Sequence, residues 1–250
     1  MTARMLICLL CFASSSCFSG EIEDALNRAG LVETPIPTGE AWLAANHHLV
    51  DYVIANDAGK LAIKELKMLR QPQEIKLRFN GKTLIGENKG EWGGSLSVVS
   101  QDGTKQILIP ENIVQLIQEE DELFVFTGLA HLFSAHGAIY KVVRDKEDVK
   151  AEKLTLLPGA PQVVIAERND RGYFGFLIVT NDGLVRFTPK YLDLKVLAID
   201  QFWSGLYPTS AQLVDNQLMI GMRSGVAVVS TAAGIPIRVK QIQYFSRNAQ

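Results

Sequence analysis

The sequence predicts an all-β fold, a β-propeller of about five four-stranded blades, from three observations. First, short apolar runs and runs that alternate apolar with polar residues, both typical of strands, dominate the chain after residue 40. Second, five pairs of such runs are joined by turns, as in β-hairpins. Third, a glycine opens the second run of each pair, and the spacings between these glycines are 35, 43, 46 and 42 residues, from Gly59 through Gly94, Gly137 and Gly183 to Gly225. A period of about 44 residues is typical of a propeller blade.

The repeating units are defined by their strands. The hairpins pair residues 52–56 with 59–63, 83–86 with 94–98, 123–127 with 137–140, 176–180 with 183–187, and 218–221 with 225–229. First strands are predicted at 113–117, 162–166 and 211–214, and fourth strands at 105–109, 152–157, 192–198 and 237–243. The first unit is too short for a fourth strand of its own, so we expect it to be incomplete or to borrow a terminal strand. A β-sandwich or barrel of the same strands is the alternative, which the regular period disfavours.

Residues 1–20 have the three parts of an export signal. Arg4 supplies a positive charge, residues 5–13 form an apolar run, and three serines precede a predicted cut near Ser19. The run is shorter than the roughly 20 residues that a membrane-spanning helix needs. We therefore predict a periplasmic or secreted protein without a transmembrane segment. Attachment of a lipid at Cys17 is the alternative, although the serines before it fit the bacterial lipoprotein pattern poorly.

The remaining chain divides into a linker and one β domain. Residues 21–40 are predicted to hold a short helix over Glu21–Leu31, which the stretch Pro35-Ile36-Pro37 ends. His47 and His48 are expected in a turn between two strands. Residues 41–250 form the predicted propeller domain.

Composition excludes several classes of protein. The 250 residues include 25 Lys and Arg against 27 Asp and Glu, and 47% of them are hydrophobic. Such a chain is not intrinsically disordered, and its near-neutral charge argues against binding to nucleic acid. The three cysteines, Cys8, Cys11 and Cys17, precede the predicted cut, so the mature chain has neither disulfides nor thiolate metal sites. We expect a monomer.

The residues that could bind a ligand or take part in chemistry lie at one end of the predicted propeller. Because antiparallel strands alternate in direction, the turns between second and third strands emerge at the same end as the links between blades. Two of these turns are expanded, 87–93 and 128–136, and two links, 157–161 and 202–208, are rich in Pro, Gly or aromatic residues. Loops on a rigid scaffold commonly form binding sites. The candidate ligand-binding residues are Glu91, Trp92, His131, His136, Trp203, Tyr207 and Arg223.

Each candidate also has a structural explanation. His131, His136 and Glu91 could form an open zinc site, but their spacing is not that of a typical ligand set. We therefore predict no metal and no other cofactor. Arg223 could clamp a carboxylate or phosphate, or it could bond Glu91 or backbone carbonyls and close the propeller. The three aromatic candidates could stack on a ligand, although aromatic residues at blade junctions more often fill the core.

Five short strings carry a resemblance to a known group of proteins. They are EWGG at 91–94, GLAH at 128–131, LPGAP at 157–161, LYP at 206–208 and GMRSGV at 221–226. Over roughly residues 75–230 the chain resembles uncharacterised bacterial exported proteins with β-propeller-like repeats of the WD40 or YVTN kind. The resemblance implies a propeller and export, and it implies no activity. The sequence lacks a Trp-Asp repeat, the kelch glycine pair in every unit and a neuraminidase-type Asp box.

Two functional hypotheses follow. The first is an envelope module that binds or scaffolds a peptide, glycan or protein partner. The alternative is an exported hydrolase or lyase with Glu91, His131 and Arg223 at a central pocket. An enzyme needs an acid or base beside an electrostatic stabiliser in one cavity, whereas a binding module tolerates dispersal over a face. The sequence holds no nucleophile elbow, phosphate-binding loop or dinucleotide fingerprint, which favours binding.

Overall fold

A computed structural model describes residues 20–67, 73–100, 102–132, 134–146, 148–168, 172–231 and 239–247. The predicted export signal, including Cys17 and the cut near Ser19, lies outside these ranges. Within them the chain is mostly β, with two α-helices and nineteen strands. Neither of these helices is long and apolar enough to cross a membrane.

The strands form five antiparallel sheets, which we number I to V along the chain. The N-terminal segment contributes α1 (Gly20–Arg28), β1 (Val32–Thr34) and α2 (Gly39–His47). Sheet I holds β2 (Val50–Asp57) and β3 (Lys60–Lys67); sheet II holds β4 (Gln73–Phe79), β5 (Lys82–Asn88), β6 (Gly94–Val99) and β7 (Lys105–Ile109). Sheet III holds β8 (Ile113–Glu119), β9 (Glu122–His131), β10 (Ser134–Asp145) and β11 (Asp148–Leu157). Sheet IV holds β12 (Pro161–Arg168), β13 (Phe174–Thr180), β14 (Leu184–Thr188) and β15 (Asp193–Ala198); sheet V holds β16 (Ser210–Val214), β17 (Gln217–Met222), β18 (Gly225–Thr231) and β19 (Val239–Ser246), with β1 on the outer edge beside β19.

All five predicted hairpins are present, and sheets II to V have the predicted order of four consecutive strands. Short apolar runs rich in β-branched and aromatic residues explain why these segments are strands. Strands β13, β14, β17 and β18 are buried on both faces, so their sequences are apolar runs with little alternation. The sequence analysis did not identify β4, although Glu74, Lys76 and Arg78 alternate there with more buried apolar residues. The charged residues of β4 weakened its apolar signal.

The sheets follow one another in a propeller-like order. Strands β5 and β6 contact β8, β8 and β9 contact β12, β12 contacts β16, and β16 and β17 contact β2. These contacts join the sheets in the order II, III, IV, V, I. Sheet I therefore precedes sheet II in the chain but packs against sheet V.

Apolar layers fill the spaces between neighbouring sheets. Phe124, Phe126 and Phe176 are fully buried between sheets III and IV, and both pairs with Phe176 meet edge to face with ring centroids 5.0 Å apart. Between sheets V and I the approach is so close that a Cβ on Gly221 would overlap the carbonyl oxygen of Tyr52. Burying one such aromatic side chain contributes about 2–3 kcal/mol, so these layers set the relative positions of the sheets.

The first unit differs from a four-stranded blade. Sheet I has two strands in the described part of the chain, and the short N-terminal strand β1 pairs with β19 of sheet V instead of completing it. The prediction that the first unit is incomplete is confirmed, whereas a borrowed strand in sheet I is not found among the described residues. Strand β1 has three residues, two of them with exposed side chains, so its sequence is too short to show the apolar pattern of a strand.

Two expectations for the N-terminal segment need correction. The predicted helix is present but ends at Arg28 and not at Leu31, because Gly30, with φ of +67°, turns the chain and the N–H of Leu31 bonds the carbonyl of Leu26. The predicted turn at His47 and His48 is wrong: His47 is the last residue of α2, and His48 follows it. Helix α2 contains alanine, glutamate and leucine, which favour helix.

Candidate functional site

The upper end of the molecule is the end that holds the turns between second and third strands and the links between sheets. Glu91 lies there in a 3₁₀ turn, Gly90–Trp92, between β5 and β6, and His131 is the last residue of β9. Their side chains meet, with His131 Nε2 3.4 Å from Glu91 Oε2, and both side chains are about half exposed. The structure thus brings together two of the predicted site residues from adjacent sheets.

Asn112, in the link between sheets II and III, fixes the turn that carries Glu91. Its side-chain oxygen accepts the N–H of Lys89 at 3.2 Å, and its amide nitrogen donates to the carbonyl of Gly90 at 2.8 Å. Asn112 is itself buried. The position of Glu91 is therefore set by the scaffold and not by the loop alone.

Two large apolar side chains directly follow this pair in sequence. Trp92 is 82% exposed and Leu132 is 85% exposed; together we call them the apolar tip. Residues 128–136 were expected to form an expanded loop, but strands β9 and β10 continue through most of this segment, with His131 paired to Ser134 and His136 to Leu129. The extended hairpin carries Leu132 on its turn, and His136 is exposed on the third strand.

The side chain of Arg223 bonds other groups of the protein. It is 7% exposed, and its Nη1 donates to both the backbone carbonyl and the side-chain oxygen of Asn46. Its Nε lies 3.9 Å from a carboxylate oxygen of Asp51, and its guanidinium carbon lies 4.5 Å from the centre of the Tyr207 ring. Of the two roles weighed for Arg223, the structure favours the bond to a backbone carbonyl, here in the last turn of α2.

The aromatic candidates fall into three different environments. Trp92 is exposed, as described above. Trp203 is fully buried between sheets IV and V, where its Nε1 donates to the carbonyl of Thr180 at 3.2 Å. A ligand therefore cannot reach Trp203, and that candidate is corrected to a core residue. Tyr207 is 37% exposed and lies against Arg223.

Helix α2 covers the link that holds Trp203 and Tyr207. Trp42 of this helix donates from Nε1 to the carbonyl of Phe202 at 3.0 Å, and its ring lies over Gly205. Trp42 was not among the candidate residues, because no second helix was predicted between residues 37 and 52. The link 202–208 is thus a packed element, and its aromatic content reflects packing.

A polar cluster that the sequence analysis missed surrounds Glu111, in the link before β8. Its carboxylate accepts hydrogen bonds from Thr127 Oγ1 and from the Tyr140 hydroxyl, each at 2.5 Å, and from Lys153 Nζ at 3.3 Å. Burial raises the pKa of Glu111, but the three donors outweigh it and the pKa is lowered overall. Burial and the bond to Glu111 raise the pKa of Tyr140. Glu111 lies in a link between two sheets, at the same end as the candidate residues, so its position could have been predicted in the same way as theirs.

The described residues hold no group of three or more His, Cys, Asp or Glu side chains that could bind a metal ion. At the upper end the chain presents three separate arrangements. They are the exposed tip with the Glu91–His131 pair, the internal contact of Arg223 with α2, and the Glu111 cluster.

No protein-family model matches this sequence, and no curated protein matches it. Solved structures are similar at low identity. A luciferin-regenerating enzyme matches with 8% identity and a TM-score of 0.41 over 79% of this chain and 78% of that one. A protein of unknown function from Bacteroides caccae matches with 10% identity and a TM-score of 0.38 over 77% and 72%. The β-propeller domain of Nup133 from Vanderwaltozyma polyspora matches with 7% identity and a TM-score of 0.29 over 79% and 65%. These likenesses concern the fold, and they carry no function to this chain.

Proposed function

We propose that this protein is an exported envelope module, a five-bladed β-propeller that binds a protein partner through the apolar tip. Ring closure is supported by the packing of sheet I against sheet V, although sheet I precedes sheet II in the chain. Such a ring would present the upper end as one continuous face. Export is supported by the three-part signal in residues 1–20.

The exposure of Trp92 and Leu132 is the observation that carries the proposal. Two large apolar side chains, each more than four-fifths exposed, lie on neighbouring elements that the Glu91–His131 pair joins. Apolar anchors within a polar surround are typical of protein interfaces, and tryptophan is enriched among the residues that dominate binding energy. A glycan could stack on Trp92, but it would gain little from Leu132, so a protein surface fits the pair better.

The alternative, a hydrolase or lyase, would need Arg223 as an electrostatic stabiliser of the reaction, and Arg223 is not placed for that role. Arg223 is buried and its guanidinium is already hydrogen-bonded to Asn46. Glu91 and His131 form a half-exposed pair at the surface, where water weakens electrostatic interactions. This arrangement does not provide the enclosed, converging polar groups that catalysis requires.

Site-specific photo-crosslinking in the bacterial envelope tests the proposal. A photoreactive amino acid replaces Trp92 or Leu132 in the full chain, and Ile107, 61% exposed on the outer strand of sheet II, is the matched control position. We expect one discrete cross-linked protein from positions 92 and 132 and none from 107. The identified partner, once purified, should bind the W92A variant about 30-fold more weakly than the wild type. Absence of a discrete adduct, or the same adduct from all three positions, would refute the proposal.

A further inference from the structure

A cavity of about 560 Å³ lies at the lower end of the molecule, opposite the apolar tip, between sheets III and IV. The turns between first and second strands and between third and fourth strands meet at this end. The cavity volume suits a small organic ligand. The sequence marks no candidate residue at this end, because most of its turns are only a few residues long.

Aromatic side chains lie along the cavity. Phe174 of sheet IV and the preceding Tyr173 are partly exposed there, and behind Phe174 lies the fully buried Phe124 of sheet III, with the two phenylalanine ring centroids 5.9 Å apart. Each phenylalanine stands opposite a basic residue in its own sheet, Lys141 beside Phe124 and Arg168 beside Phe174. Both basic residues line the cavity together with Lys190. The two cations beside the phenylalanine rings are Lys141 and Arg168.

Two glutamates of the β8–β9 hairpin neutralise these cations. Lys141 Nζ lies 2.9 Å from Glu122 Oε1, while Arg168 donates through Nε at 3.1 Å and through Nη2 to the two carboxylate oxygens of Glu119. All four charged side chains are partly exposed. A ligand with both an ammonium and a carboxylate group could insert into these pairs, with its carboxylate on the cations and its ammonium on the glutamates, so that no charge is left unpaired.

A buried ion pair packs against Tyr173, which forms one wall of the cavity. Arg186 Nε lies 3.1 Å from Glu167 Oε2, both side chains are 7% exposed, and the Arg186 guanidinium lies 4.5 Å from the centre of the Tyr173 ring. Tyr173 faces the cavity. A buried pair of this kind contributes little to net stability, but it fixes the position of the tyrosine.

Leu192 is a further apolar residue of the cavity. It lines the cavity and its side chain is 58% exposed, so it is open to an apolar ligand. Its backbone has a φ of +51°, a left-handed conformation that asparagine and glycine adopt more readily than leucine.

We propose that this cavity binds a small zwitterion with an apolar side chain, namely a free apolar amino acid or a dipeptide. Phe174, Tyr173 and Leu192 contact the apolar side chain. Lys141 and Arg168 bind the carboxylate, and the hairpin glutamates bind the ammonium group. This site is separate from the apolar tip, and its failure would leave the proposed protein interface untouched.

Isothermal titration calorimetry on the mature chain tests this assignment with L-phenylalanine, L-leucine and the dipeptide Phe-Leu as probes. N-acetyl-L-phenylalaninamide, which has the same side chain and no charge, is the control ligand. We expect at least one zwitterion to bind with a submillimolar Kd and the uncharged analogue to bind at least tenfold more weakly. The amino acids and the dipeptide distinguish the two sources of this chemistry.

Three variants locate the binding site. K141M should weaken binding at least tenfold, whereas K150M, which breaks an exposed pair with Glu152 on the outer strand of the same sheet, should leave it unchanged. L192N should weaken binding without lowering the thermal unfolding temperature, since asparagine tolerates the left-handed backbone. The assignment is overturned if no zwitterion binds, if the uncharged analogue binds as well, or if L192N and K150M behave alike.

Discussion

Glu21 and Arg28 of helix α1 bond the two backbone groups of one residue, Leu61, in the outer strand of sheet I. The Leu61 N–H donates to Glu21 Oε1 and its carbonyl accepts from Arg28 Nη2, each at 3.0 Å. These side chains occupy the hydrogen-bonding sites that a third strand would use at this position. Helix α1, with Ile22 and Leu26 buried against sheets I and V, therefore covers part of the edge of an incomplete blade, which an open strand would otherwise expose.

The double variant E21A/R28A should be less stable than the wild type by about 2 kcal/mol, because hydrogen bonds to charged groups contribute about 1.5–3 kcal/mol and these are partly exposed. Urea unfolding of the mature chain measures the loss. The control is E23A/N27A, which removes two exposed side chains from the same helix. Equal stability of the two double variants would show that α1 is held by its apolar face alone.

Export should leave helix α1 intact. A cut after Ser19 places Gly20, the first residue of α1, at the new N-terminus, so we expect N-terminal sequencing of the envelope fraction to read Gly-Glu-Ile-Glu. The variant C17S should be processed and localised like the wild type. A blocked N-terminus at Cys17, together with release of the C17S protein from the membrane, would instead establish lipid attachment.

Arg223 should stabilise the contact between α2 and sheet V. R223M removes the bonds to Asn46 and leaves the mostly buried carboxylate of Asp51 without this nearby cation, so we expect a loss of about 3 kcal/mol. The measurements are urea unfolding and amide exchange, which should become faster in α2. Adding D51N should recover part of the loss.

R78M is the control for this prediction, because Arg78 is exposed on β4. It should change stability by less than about 0.5 kcal/mol. If R223M is as stable as R78M, the guanidinium is not structural, and Arg223 returns to the set of candidate ligand-binding residues.

The sequence predicted local structure better than long-range contacts. The five hairpins could be predicted because alternation and glycine spacing are properties of neighbouring residues. The role of Arg223 could not, because its partner Asn46 lies 177 positions earlier in a helix that the sequence analysis did not identify. The burial of Trp203 likewise depends on the packing of sheets IV and V. The lower-end cavity depends on two turns 49 residues apart, joined by Glu119 and Arg168.

Glu111 should make the stability of the protein depend on pH in the acid range. Its pKa is lower in the folded chain than in the unfolded chain, where the pKa of glutamate is about 4.3. The carboxylate therefore contributes its full stabilisation above that value and loses it as the pH falls through the folded pKa. E111Q keeps an acceptor oxygen but removes the charge, so we expect it to be about 1–2 kcal/mol less stable than the wild type at pH 7.

That deficit should shrink as the pH falls below about 4, because the carboxylate of the unfolded wild type then takes up a proton while that of the folded chain does so only at a lower pH. Urea unfolding of both proteins at pH 7, 5 and 3.5 measures the difference in free energy. E74Q, which neutralises an exposed carboxylate on β4, is the control, and it should show a small difference at every pH. A deficit for E111Q that stays constant from pH 7 to 3.5 would mean that Thr127, Tyr140 and Lys153 do not favour the charged form of Glu111. The cluster would then hold the link before β8 against sheet III only through the geometry of its hydrogen bonds.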